Sequence, residues 1–159
     1  MFTQTQYSGT GADQYNMLGK QLDALLTGEP NKIANLSNAS ALLNQFLDRI
    51  NWVGFYLMED GELVLGPFQG LPACVRIKVG RGVCGTAVAE KKTMLIANVH
   101  EFPGHIACDA ASQSEIVVPL IKDGEVIGVL DIDSPELSRF TEEDQQGLEH
   151  FAEILMQHL

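Results

Sequence analysis

Basic residues are scarce in this chain: ten Lys and Arg stand against 21 Asp and Glu, a formal net charge of −11 over 159 residues. A surface of that sign repels phosphate backbones and anionic headgroups, so neither nucleic acid nor membrane is expected as a partner. A ligand drawn in by the same field carries at least one cationic group. No apolar run approaches the roughly 20 residues that span a bilayer. The N-terminus, MFTQTQYSGTGADQY, lacks the basic start and apolar stretch of a secretory signal, and a cytoplasmic location is the expectation. Cysteine is sparse too. Three is an odd number, which argues against a secreted disulfide framework; in a reducing compartment such thiols serve burial, metal binding or redox chemistry. Repeats, low-complexity tracts and linkers are missing. What is present is 45% hydrophobic residues, enough for one domain over residues 1–159 to bury a core without staples.

Residues 1–11 are polar and expected to be poorly ordered. A first helix is expected from about Ala12 to Leu26, with Tyr15, Leu18, Leu22 and Leu25 on one stripe. A second carries Ile33, Leu36, Leu43, Phe46, Leu47 and Ile50 at roughly helical spacing. From Asn51 the pattern turns to β. Trp52 to Leu57 and Leu63 to Phe68 flank Asp60-Gly61, and Ile116 to Ile121 and Val126 to Ile132 flank Asp123-Gly124, both strong hairpin signals. Val75 to Val79 and Thr93 to Ile96 are shorter strand candidates, with a short helix at Cys84 to Ala89 between them. Pro119 suggests an edge or a bulge. A capping box at Thr141–Asp144 opens the last helix. The fold class is therefore α+β: about six mainly antiparallel strands, with the terminal helices packed on one face.

Cys74, Cys84 and Cys108 all lie in the loop-rich middle of the chain. Each alone could be a small buried hydrophobe, but three together, one beside a histidine, favour redox work. His105 could lower the pKa of Cys108 and Asp109 would raise it, so the net sign stays open. A zinc set of His100, His105 and Cys108 with Cys74 or Cys84 competes, although no familiar ligand spacing supports it. Gly80 to Gly85 satisfies G-x-G-x-x-G, yet the hairpins do not supply a dinucleotide fold. Period-2 alternation places Ile127, Val129, Asp131 and Asp133 on one strand face, and Glu115 on the partner strand can lie across from the two carboxylates. They form either a ligand-binding acidic cluster or a solvated strand end. Trp52, the single tryptophan, is either core or the wall of a pocket for a sulfur group.

Several stretches together resemble the free methionine-(R)-sulfoxide reductases, stand-alone GAF-domain proteins. They are Asn51 to Tyr56, Val79 to Ala87, Gly104 to Asp109, Ser114 to Leu120 and Ile127 to Ser134, with the Cys108 segment the most specific. The resemblance implies a GAF fold, with Cys108 as nucleophile, Cys74 as main resolving thiol and Cys84 as an alternative. It also implies that Glu115, Asp131 and Asp133 bind the substrate and that Trp52 walls the pocket. The Cys108 thiolate would attack the sulfoxide sulfur while a protonated Glu115 or Asp131 assists the oxygen. The resulting sulfenic acid would close to a disulfide that thioredoxin reopens. No cofactor is called for, and a homodimer is left open. The rival reading is a GAF small-molecule sensor without catalysis, for example of a cyclic nucleotide, though an acidic pocket suits a phosphate poorly.

Overall fold

The structure, a computed structural model, describes residues 4–105 and 109–159. Two helices, α1 (Gly11–Leu26) and α2 (Lys32–Phe46), precede strands β1 (Trp52–Glu59), β2 (Glu62–Gly70) and β3 (Arg76–Lys78). Helix α3 (Gly82–Glu90), strand β4 (Met94–Ile96) and a 3₁₀ turn at Val99–Glu101 follow. The chain closes with β5 (Ser114–Lys122), β6 (Glu125–Ser134) and α4 (Glu142–Met156). All five strand pairings are antiparallel, in the order β3-β2-β1-β6-β5-β4.

Both hairpins form where the turn chemistry places them. Asp60 and Gly61 have φ of 50° and 84°, and Asp123 and Gly124 have 53° and 81°. Left-handed backbone at both turn residues matches the twist of the flanking strands. The capping box of α4 is present: Thr141 accepts from the Asp144 amide while Asp144 accepts from that of Thr141. A second box, Thr10 with Asp13, starts α1.

The sheet separates two apolar layers. On one face α1, α2 and α4 cover Val53, Phe55, Ile116, Val118, Leu120, Leu130 and Ile132. Tyr7, within the segment expected to be poorly ordered, packs edge-on against Phe46 there at 4.7 Å. On the other face Trp52, Tyr56, Leu63, Ile77, Val117 and Val129 pack with Val83, Cys84 and Ala87 of α3. Strand alternation thus assigns each strand one helix-facing and one site-facing row.

Ile127 departs from the expected row. The β5–β6 register slips between Leu120 and Ile121, and this bulge turns Ile127 toward the helical core, with Val126 toward the other layer. Pro119 lies where β5 has passed the end of the three-residue β4, so its missing amide donor is needed by no second neighbour.

Candidate active site

The site lies on the face opposite the three long helices. It is built from the chain-reversed neighbours β1, β6 and β5. Register places Trp52 and Glu115 on either side of Asp133, with Gly54 and Val117 flanking Asp131. Both aspartates therefore share a face, as alternation requires, and Glu115 is drawn up beside them. Trp52, Glu115, Asp131 and Asp133, with Cys84, His105 and Asp109, line one cleft. Glu115 and Asp131 are only 5% and 6% exposed, so a solvated strand end is excluded.

Burial decides the electrostatics. Removal from water, with the Asp131 and Asp133 charges behind it, pushes the Glu115 carboxyl well above the usual carboxylate range. Asp133 is also pushed well up, by burial and then by Asp131. Asp131 rises through burial, opposed by hydrogen bonds from Glu115 and Cys84. Carboxyls this close and this buried disfavour one another's ionisation, so each holds its proton to higher pH than a free carboxyl does. Asp131 Oδ1 is buried without a hydrogen-bond partner among the described residues, an acceptor suited to a ligand's donor.

Trp52 stacks on Phe68 at 5.1 Å and on Tyr56 at 5.9 Å, forming an aromatic wall. Gly70 permits this: its φ is 142°, and a Cβ there would lie 2.5 Å from Trp52 Cδ1. The wall also holds the segment above it, because Trp52 Nε1 donates to the Leu71 carbonyl at 3.1 Å and Tyr56 Oη to that of Cys74 at 2.8 Å. Cys74, so anchored, is disulfide-bonded.

Cys84 is a free, buried thiol on α3. Burial and the Asp131 charge push its pKa well up, which makes it a weak nucleophile in this state. Gly80 and Gly82, at φ of 86° and 62°, turn the chain from β3 into α3, and Gly85 abuts the Lys78 carbonyl, 2.4 Å from where a Cβ would stand. The glycine motif therefore seats a helix over the site and serves no dinucleotide fold. Among the described residues no side chain caps the first turn of α3, whose N-cap is Arg81, and Arg81, Gly82 and Val83 face the cleft. Free amides at a helix start favour an anion.

Cys108 lies outside the described residues. The segment from Asp109 to Ser112, which leads into β5, is tied back by Asn51, whose Nδ2 donates to Asp109 Oδ2 at 2.9 Å and Ser112 Oγ at 3.0 Å. Among the described residues, His100 and His105 join no metal-ligand cluster; Cys84, Glu115 and Asp131 do bring ligand atoms within 4.8 Å of one another. His105 lines the cleft with its pKa lowered, by burial first and by His100 second.

Sequence reasoning named Trp52, Glu115, Asp131, Asp133 and Cys84, and all five meet in this cleft. It missed Asn51, Ser112, Tyr56 and the start of α3 as parts of the site. Alternation from Trp52 could have found Tyr56; nothing local marks Asn51.

The GAF domain family model matches residues 19–159. The chain is 61% identical over 134 residues to the free methionine-R-sulfoxide reductase of Escherichia coli K12, covering 84% of this chain and 81% of that protein. The fold superposes on the free methionine-R-sulfoxide reductase of Neisseria meningitidis in complex with its substrate, with TM-score 0.94, 43% identity, and coverage of 99% of this chain and 95% of that one. The reduced fRMsr of Staphylococcus aureus gives TM-score 0.90 and 56% identity over 98% of this chain and 99% of that one. With this fold and this degree of identity, the chain belongs to the GAF-domain family and, within it, to the free methionine-R-sulfoxide reductases, a family of oxidoreductases.

Proposed function

We propose that the protein reduces free L-methionine (R)-sulfoxide to methionine, with Cys108 as the nucleophile. The observation that carries this reading is a buried, three-carboxyl cleft walled by Trp52 and placed beside the disulfide-bonded Cys74. A free amino acid presents an ammonium, a carboxylate and a side chain. Asp131 and Asp133 receive the ammonium, with Asp131 Oδ1 as an acceptor left unmatched among the described residues. The open amides at the start of α3 receive the carboxylate, and Trp52 packs on the methyl group. A methionine sulfoxide inside a polypeptide lacks the ammonium, so burying these carboxyls against it would be unfavourable.

The chemistry follows from the proton inventory. The Cys108 thiolate attacks the sulfoxide sulfur as Glu115, whose proton burial and the neighbouring carboxylates help retain, gives that proton to the oxygen. Oxygen transfers to Cys108, methionine leaves, and Cys108 becomes a sulfenic acid. Cys74 then displaces that oxygen as water, closing a disulfide between the two thiols. Cys74 is the first resolving thiol because it is the one already disulfide-bonded; Cys84, buried and held protonated, is the reserve. An external dithiol such as thioredoxin restores both thiols. The Cys108→Ser variant tests the assignment. Pre-reduced variant offered the (R)-sulfoxide is expected to form no methionine in a single turnover, and formation at the wild-type rate would refute Cys108 as nucleophile.

A further inference from the structure

We propose that the surface around Cys74 is the docking site for the recycling partner, and that this partner is an acidic protein dithiol. The inference rests on the reductase reading and adds where, and to what kind of surface, the reductant binds.

Charge is unevenly distributed along the chain. Residues 63–89 contain no Asp or Glu, yet hold three of the ten cations, Arg76, Lys78 and Arg81, in a protein of net charge −11. Apolar exposure is concentrated there as well. Leu71, Val75 and Val79 are 63%, 58% and 42% exposed, three of the seven exposed large hydrophobics among the described residues. Cys74 sits between the first two.

The backbone of this segment is fixed, so the exposure is not that of a loose loop. The carbonyls of Leu71 and Cys74 are held by Trp52 and Tyr56, and the Val75 carbonyl accepts from the Leu65 amide at 2.9 Å. On β3, the outermost strand of the sheet, Ile77 is buried while Arg76 and Lys78 point out. Arg76 is paired with Glu62 at 3.0 Å; among the described residues no ion pair engages Lys78 or Arg81.

Thiol–disulfide exchange needs the incoming sulfur in contact with the sulfur under attack, so the reductant must touch the surface that surrounds the disulfide. Its thiolate attacks one sulfur of the Cys74 disulfide, forms a mixed disulfide and releases the other enzyme sulfur as a thiolate, which takes up a proton. The partner's second thiol, deprotonated, displaces the remaining enzyme sulfur, which is protonated in turn. Two electrons have then moved: the enzyme is a dithiol and the partner a disulfide. Exposed Leu71 and Val75 flanking Cys74 in the chain, with Arg76 and Lys78 following on β3 across from the single carboxylate of Glu62, give such a partner apolar contact area and an excess of cationic side chains.

The test uses the double variant Val75→Asp/Lys78→Glu, and Lys78→Gln alone as a milder change, in full-length enzyme. Thioredoxin of net negative charge, with its reductase and NADPH, is the probe; dithiothreitol is the small-dithiol control. The KM for thioredoxin is expected to rise about tenfold or more in the double variant and about two- to fourfold in Lys78→Gln. The rate with dithiothreitol and the single-turnover yield of methionine from pre-reduced enzyme should stay at wild-type values. Raising salt to about 0.3 M should slow the wild-type thioredoxin reaction and leave the dithiothreitol reaction unchanged. An unchanged thioredoxin KM in the double variant would overturn the proposal, as would equal losses with both reductants. Failure of pre-reduced wild-type enzyme to make methionine would instead bring down the reductase reading itself.

Discussion

Replacing Glu115 by Gln should stabilise the protein at neutral pH while impairing catalysis. The Glu115 carboxyl holds its proton far above the pH at which an unfolded glutamate loses it, because burial and the Asp131 and Asp133 charges disfavour ionisation. Between those two values the folded state binds one more proton than the unfolded state. Its contribution is thus fully present below the unfolded-state value and declines as pH rises, by about 1.4 kcal/mol per pH unit. In a chain of this size 1 kcal/mol moves Tm by about 2–4 °C, so the carboxyl lowers Tm by about 3–6 °C per pH unit. The glutamine amide can donate to both aspartates and does not titrate. Melting curves of reduced wild type and Glu115→Gln, taken in steps from about pH 5 to pH 8, should therefore diverge, with the variant increasingly the more stable. Single-turnover methionine formation should fall about 100-fold or more with the proton donor removed. Parallel Tm curves, or a variant that loses stability as pH rises, would refute a protonated Glu115.

Other predictions follow from the site's supports. Asn51→Ala removes the donor shared by Asp109 and Ser112; it should cost about 1–2 kcal/mol, seen as a lower Tm, and should lower kcat more than it raises KM. Gly70→Ala forces a side chain into left-handed backbone and against Trp52; a loss above about 1 kcal/mol is expected, with a shifted emission maximum from the single tryptophan and a raised sulfoxide KM. Asp133→Asn should weaken sulfoxide binding about tenfold or more, through loss of a partner for the ammonium, read as quenching of Trp52 emission by titrated ligand.

Local chemistry made much of this legible. Asp-Gly at 60–61 and 123–124 and the Thr141 cap act within a few residues, so their outcomes follow from backbone geometry. The shared face of Asp131 and Asp133 follows from a period of two. Other features depend on distant residues. The pairing of β1 with β6 joins residues about 70 to 80 positions apart in the chain, and Asn51 meets Asp109 across 58 residues. The bulge that turns Ile127 to the helical core arises from the β5–β6 register, to which alternation within one strand is blind. Burial was equally hidden: Glu115 lies one residue into β5, near a strand end where solvent contact is the ordinary fate, and its covering in the cleft, with Asp131 and Asp133 alongside, is what raises its pKa.

The central claim is tested most directly by following NADPH consumption with thioredoxin and its reductase, offering free methionine (R)-sulfoxide and the (S) form separately. Turnover with the (R) form alone is predicted. Equal turnover with both forms, or none with either from folded and reduced protein, would contradict it.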